Sequence, residues 1–240
     1  MPAESLREVW VYLAATPLLS LTLTLVLYQL AFALYRRARF LALLNPVLLT
    51  VAMVVTLLTL TGTSYDTYFE GAQFIHFLLG PATVALAIPL YRQFDKVRRH
   101  AGALAASLAA GSLTAMATAV GIGALFGVDR AGLVALAPKS VTAPVAMGIA
   151  EKLGGVPSLT AVLVIATGII GASLGPSVLD LCGINGKAAR GFAMGTAAHG
   201  IGTARALQES EIAGAFSGLA MGLNALATAI ALPLLWSLLF

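Results

Sequence analysis

Charge is scarce in this chain: Asp, Glu, Lys and Arg make up 10% of its residues, whereas a soluble domain carries about 25%. Hydrophobic residues reach 59% and the mean hydropathy is +0.93. A single water-soluble globule does not bury that many apolar side chains, so a soluble fold is not expected. Cysteine is nearly missing too. Cys182 stands alone, which rules out an internal disulfide and any metal site built from cysteines. No Gly-x-x-x-x-Gly-Lys-Ser/Thr phosphate loop, His-Glu-x-x-His zinc motif or Gly-x-Ser-x-Gly nucleophile motif occurs. No acidic residue lies deep within an apolar run to act as an obvious carrier of protons or sodium. The chain is therefore expected not to be an enzyme, with no cofactor and no metal.

What the chain has instead is long apolar runs. A helix needs roughly 20 apolar residues to cross a hydrocarbon core about 30 Å thick. Val9 to Tyr35, Phe40 to Thr61, Ala72 to Tyr91, Ala101 to Phe126, Ser158 to Leu181 and Ile212 to Phe240 all qualify. Ala131 to Lys152 and Ala188 to Leu207 are long enough but interrupted by Pro, Gly and charge. The expected fold is an all-α polytopic membrane protein of seven or eight transmembrane segments, two of them interrupted or re-entrant helices in the C-terminal half. It divides into an N-terminal bundle of four spans over residues 1–127 and a C-terminal core over 128–240, whose broken helices fall at about 131–152 and 188–207. A possible internal repeat aligns Leu79, Gly80 and Pro81 with Ala137, Pro138 and Lys139, and another sets Lys139 and Glu151 beside His199 and Glu211.

The net charge of +4 reports topology rather than nucleic-acid binding. Arg36, Arg37 and Arg39 follow the first run, and Arg92, Lys96, Arg98 and Arg99 follow the third, while the loop between the second and third holds Asp66 and Glu70. Basic loops stay on the cytoplasmic side, which puts the N-terminus outside. Ala31, Phe32 and Ala33 imitate a signal-peptide cleavage site, but Glu4, Arg7 and Glu8 are not a basic leader, so the first run is read as a span. Glycines spaced by four, such as Gly191 and Gly195 or Gly214, Gly218 and Gly222, are read as seams where backbones approach closely.

The chemistry-bearing candidates are cations at membrane depth, each costing about 2.5–3.5 kcal/mol at a span centre unless it faces a cavity or partner. Lys139 sits between Pro138 and Pro144, which break the helix because neither donates an N–H and each clashes with the preceding turn. A half-helix starting there attracts anions, and Ser140 and Thr142 add hydroxyls; the alternative is a lysine snorkelling to headgroups. His199 and Arg205 share the second segment, where Gly200 and Gly202 permit an unwound turn that aims both at one point. The alternatives there are a packing helix with Arg205 held by Glu209, and a hydrogen-bonded structural histidine. Thr203 joins the candidate binding set, and His199 is a candidate for coupling transport to protons, since the unperturbed imidazole titrates near neutrality. Asp180 reads as the end of a helix.

These same segments carry a resemblance. Pro138-Lys-Ser-Val-Thr-Ala-Pro-Val-Ala-Met-Gly148, Gly154-Gly-Val-Pro-Ser-Leu-Thr-Ala161, Gly168-Ile-Ile-Gly171, Arg190-Gly191, Gly195-Thr-Ala-Ala-His-Gly-Ile-Gly-Thr-Ala-Arg205 and Gly214-Ala-Phe-Ser-Gly-Leu-Ala-Met-Gly-Leu-Asn224 look like the LrgB/CidB/YohK family, and Pro89-Leu-Tyr-Arg-Gln93 also fits. Ala143 departs from the pattern, which has a second Thr there. The resemblance implies two functions. One is an antiholin-like protein that modulates murein hydrolase activity and lysis with a small LrgA/CidA-like, holin-like membrane partner. The other is transport of small monocarboxylates such as glycolate, glycerate or pyruvate, as in the plastid glycolate and glycerate translocator. A transporter is the first expectation, because a pure assembly module does not need buried cations. The chain is then expected in a bacterial cytoplasmic membrane, as a homo-oligomer, with carboxylate contacts from Lys139 and Arg205.

Overall fold

The computed structural model describes residues 17–38, 44–85 and 87–239, and every regular element among them is helical. The predicted starts of the first two spans at Val9 and Phe40, the end of the last at Phe240, and Glu4, Arg7, Glu8 and Arg39 lie outside the described residues. The chain divides into two compact units, Met1–Ala85 and Leu86–Phe240.

The first unit holds α1 (Pro17–Arg37), α2 (Pro46–Thr61) and α3 (Tyr65–Ala85). Helix α2 starts where Asn45 Oδ1 accepts from the N–H groups of Val47 and Leu48 at 2.9 and 3.3 Å. Pro46 takes the first helical position, where its missing N–H costs no bond. The helix stops at Gly62, whose φ of 66° is a left-handed cap that glycine adopts without a Cβ clash. A 2.7 Å hydroxyl pair between Thr24 and Tyr68 pins α1 to α3. Leu30, Leu60 and Phe77 point outward, as lipid-facing side chains do.

The second unit holds α4 (Ala87–Arg92), α5 (Phe94–Arg99), α6 (Ala101–Leu125), α7 (Arg130–Leu136), α8 (Ala143–Lys152), α9 (Pro157–Leu181), α10 (Lys187–Glu209) and α11 (Glu211–Leu239). The division falls after Ala85 rather than near residue 127 because α6 is built into the C-terminal core. Met116 of α6 joins Leu133, Val134, Ile149, Ala150, Leu232 and Trp236 in one buried cluster, and Gly123 backs onto Leu133 and Leu136. Among the described residues, four helices are long and apolar enough to cross a membrane: Leu18–Arg37, Ala101–Leu125, Pro157–Leu181 and Glu211–Leu238. Helix α2 is apolar but shorter.

Neither interrupted segment runs straight. In α10, Ala198 (φ −126°) and His199 (φ 41°, ψ −134°) leave helical geometry. On a straight helix residues 190 and 209 would stand about 28 Å apart, yet Arg190 Nε donates to Glu209 Oε2 at 3.0 Å. Helix α10 is therefore a hairpin of two short arms. The turn falls on Ala198 and His199, two to three residues before the predicted Gly200 and Gly202. Gly202 serves the fold-back in another way: the arms lie so close that a Cβ there would come within 2.5 Å of the Met194 carbonyl oxygen.

The other segment also turns back. The chain leaves the helix between Leu136 and Ala143, with Pro138 fully buried and Pro144 at the start of α8. Gly155, just beyond α8, returns to Val134 of α7, where a Cβ would lie 2.6 Å from Val134 Cγ1. This hairpin enters from the end of the unit where α6 and α11 finish, beside Leu232 and Trp236. The α10 hairpin enters from the end where they begin, with Phe192 against Phe216, Leu104 and Ile212.

The first arm of α10 lies backbone to backbone with α11. A Cβ on Gly191 would collide with the Ala213 carbonyl, and one on Gly195 with that of Ser217. Neither neighbour is a flexible side-chain tip, so nothing yields. Gly191→Ala or Gly195→Ala is expected to destabilise the protein by about 1–3 kcal/mol through overpacking. Gly222→Ala, with nothing within 4 Å, is expected to leave the thermal midpoint in detergent unchanged or raised.

Candidate functional site

The tips of the two hairpins meet at one side chain. Asn224, 1% exposed, accepts at Oδ1 from the Ser112 hydroxyl of α6. Its Nδ2 donates to the carbonyl oxygens of Ser140 at 3.3 Å and Thr196 at 3.1 Å. Ser140 lies in the break between α7 and α8, and Thr196 lies two residues before the kink of α10. From Glu211 to Asn224 helix α11 climbs about 20 Å, so the tips meet near the middle of that helix, which runs to Leu239.

A cavity of about 860 Å3 ends at this point. It runs from Lys96 and His100, where α5 meets α6, to Lys139 and Ser140 at its floor. Its walls are largely apolar, with Leu104, Ile170, Phe192 and Phe216, and Thr167 and Thr196 supply hydroxyls. Lys139 is half-buried, and its Nζ makes a long 3.4 Å contact to Ser140 Oγ. None of the three ion pairs found among the described residues includes it. A lysine without a carboxylate, at the bottom of an apolar cavity, is suited to receive an anion.

Of the six predicted binding residues, Lys139 and Ser140 line this cavity. Thr142 precedes α8 without making a side-chain capping bond. His199 is buried beside the floor rather than in it; Nε2 donates to the Val164 carbonyl at 2.9 Å. Gly168 leaves room for its ring, since a Cβ there would sit 2.7 Å from Cε1. Thr203 bonds the His199 carbonyl and the Ser217 hydroxyl, both at 2.9 Å. Arg205 is half-buried on the second arm of α10 and is not among the cavity-lining side chains. Glu209 is held by Arg190, so it does not anchor Arg205 as an i,i+4 partner.

Sequence reasoning missed Asn224, Ser112 and Thr196 as site residues. Asn224 did carry a signal, an amide in the middle of an otherwise apolar span, where an unsatisfied polar group is costly. It also missed Arg190, which is 7% exposed and bonds Asp180 at 2.6 Å, Glu209 at 3.0 and 3.2 Å and the Ile184 carbonyl at 2.9 Å.

Two broken-helix hairpins that meet beside a cavity lined by Lys139, among helices long and apolar enough to cross a bilayer, mark a helical membrane protein. The chain belongs to the LrgB-like family, whose model matches residues 24–238. It is similar to YwbG of Bacillus subtilis, 37% identical over 92% of this chain and 97% of that protein. It is also similar to the holin-like protein CidB of Staphylococcus epidermidis, 32% identical over 90% and 94%. The antiholin-like protein LrgB of Bacillus mycoides is 27% identical over 91% and 95%. No solved structure matches the chain.

Proposed function

We propose that this protein carries small monocarboxylates, of the glycolate, glycerate or pyruvate kind, across the bacterial cytoplasmic membrane. The observation that supports this most is Lys139, a cation with no acidic partner among the described residues, at the floor of a cavity reaching mid-bilayer depth. Helix α8 and the second arm of α10 both begin beside that floor, and the positive ends of their dipoles add to the lysine's field. Ser140 and Thr196 are near enough to read a hydroxyl or keto oxygen. In this reading α6, α9 and α11 cross the bilayer while both interrupted segments dip in and return. With the three helices of the first unit that makes six crossings instead of the expected seven or eight. Lys96, Arg98 and Arg99 put the cavity mouth on the cytoplasmic side, and Arg36 and Arg37 put the N-terminus outside.

The names of the relatives favour a second reading more directly than they favour any carboxylate: a holin-like or antiholin-like regulator of murein hydrolase activity and lysis, working with a small LrgA/CidA-like membrane protein. The two readings part in one experiment. Protein in liposomes is expected to accumulate labelled glycolate, glycerate or pyruvate above empty vesicles, and at acid concentrations below half-saturation Lys139→Ala is expected to bring this close to the empty-vesicle level at equal incorporation. Uptake equal to empty vesicles for all three acids, with Lys139→Ala cells still lysing like the parent when the partner is co-expressed, selects the regulator.

A further inference from the structure

We propose that Asn224 is the latch that holds the cavity floor shut, and that its release opens the cavity to the opposite membrane face. The proposal rests on reading the cavity as a solute path. Among the described residues, Asn224 is the side chain bonded to both hairpin tips, and through Ser112 it fixes them to α6. Beyond the floor the chain is packed. Val134, Pro138, Val141 and Val164 are fully buried there, and the void against Asn224, bounded by Ser112, Met116 and Pro138, is about 10 Å3. That holds at most a single water, so a solute reaching Lys139 goes no further until the tips part.

The chemistry of the contact suits a gate better than a rivet. All of its bonds are neutral, and two of them end on backbone carbonyls, which water satisfies equally well once the floor opens. The two tips also belong to hairpins rooted at opposite ends of the unit, so parting them needs no full-length helix to break. The Arg190–Glu209 pair is the contrast: it joins the two arms of one hairpin through charges that are largely out of water.

Thiol labelling of the full chain in oriented vesicles tests this. Ala197, exposed within the cavity next to Thr196, becomes the probe as Ala197→Cys, with the exposed Cys182 removed as Cys182→Ser. A membrane-impermeant maleimide is expected to modify the probe from the face of Lys96 and His100. Asn224→Leu keeps the side-chain volume but removes the amide, and should raise labelling from the other face about tenfold. Ser112→Ala, which frees the amide oxygen while leaving both donors, should raise it less. Folding is checked by elution profile and thermal midpoint, and if Asn224→Leu fails to accumulate, Ser112→Ala decides alone. Opposite-face labelling that stays at the parent rate overturns the latch. Because labelling needs no substrate, that result leaves the transport reading standing, and absent uptake leaves the labelling result standing.

Discussion

Replacing Lys139 by alanine is expected to raise the half-saturation concentration for the carried acid by about thirtyfold or more. Truncating one partner of a desolvated charge pair costs about 2–5 kcal/mol, and each 1.4 kcal/mol is roughly a factor of ten. The low end applies because Lys139 is half-buried rather than enclosed. The effect falls on half-saturation because the cavity, at about 860 Å3, is far larger than a three-carbon acid, so contacts at the floor dominate binding. Lys139→Arg keeps the charge with a broader, planar head and should lose less than Lys139→Gln, which keeps only a neutral donor. Lys152→Ala, exposed at the end of α8, is the matched control and should change nothing. Initial uptake rates over a range of acid concentrations read this directly. A half-saturation value for Lys139→Ala equal to that of Lys152→Ala would remove the lysine from the site.

How far the sequence carries depends on the range of the interaction that decides each feature. The first break was legible because proline acts locally: Pro138 and Pro144 each withhold an N–H and crowd the preceding turn within six residues of one another, and the chain does leave the helix between Leu136 and Ala143, whereas the single prolines Pro176 and Pro233 are carried inside α9 and α11. The second break was placed on the wrong residues because its location is not a local choice. Glycines permit a turn, but the turn fell on His199, where Nε2 finds the Val164 carbonyl and Gly168 leaves space for the ring. Those partners sit more than thirty residues upstream in the chain. The alternative in which Glu209 holds Arg205 rests on i,i+4 spacing, a rule that presumes the helix continues. Once α10 folds back, Arg190 is the nearer guanidinium. The compact unit that begins at Leu86 takes in α6 for a similar reason: α6 reads as one more apolar span, and only its neighbours tie it to the C-terminal core.

Removing Arg190 is expected to cost about 3–5 kcal/mol, because Glu209 is left charged and largely out of water; removing Glu209 should cost less, because Arg190 keeps Asp180 and the Ile184 carbonyl. The side chains are 8% and 12% exposed, so solvent does little to screen the loss. Asp180 bonds the same guanidinium at 2.6 Å but is itself 66% exposed, and Asp180→Ala should cost about 0–1 kcal/mol, as surface pairs do. The ranking matters more than the sizes, since the shortest of these contacts is predicted to be the least important. Replacing both partners, as Arg190→Met with Glu209→Leu, should recover most of the single-variant loss, because apolar side chains of similar volume carry no desolvation penalty. Unfolding midpoints of all four variants in one detergent provide the comparison. If Asp180→Ala destabilised as much as Glu209→Ala, exposure would not be what sets the cost. The α10 hairpin would then owe its closure to the backbone packing at Gly191, Gly195 and Gly202 rather than to its buried charges.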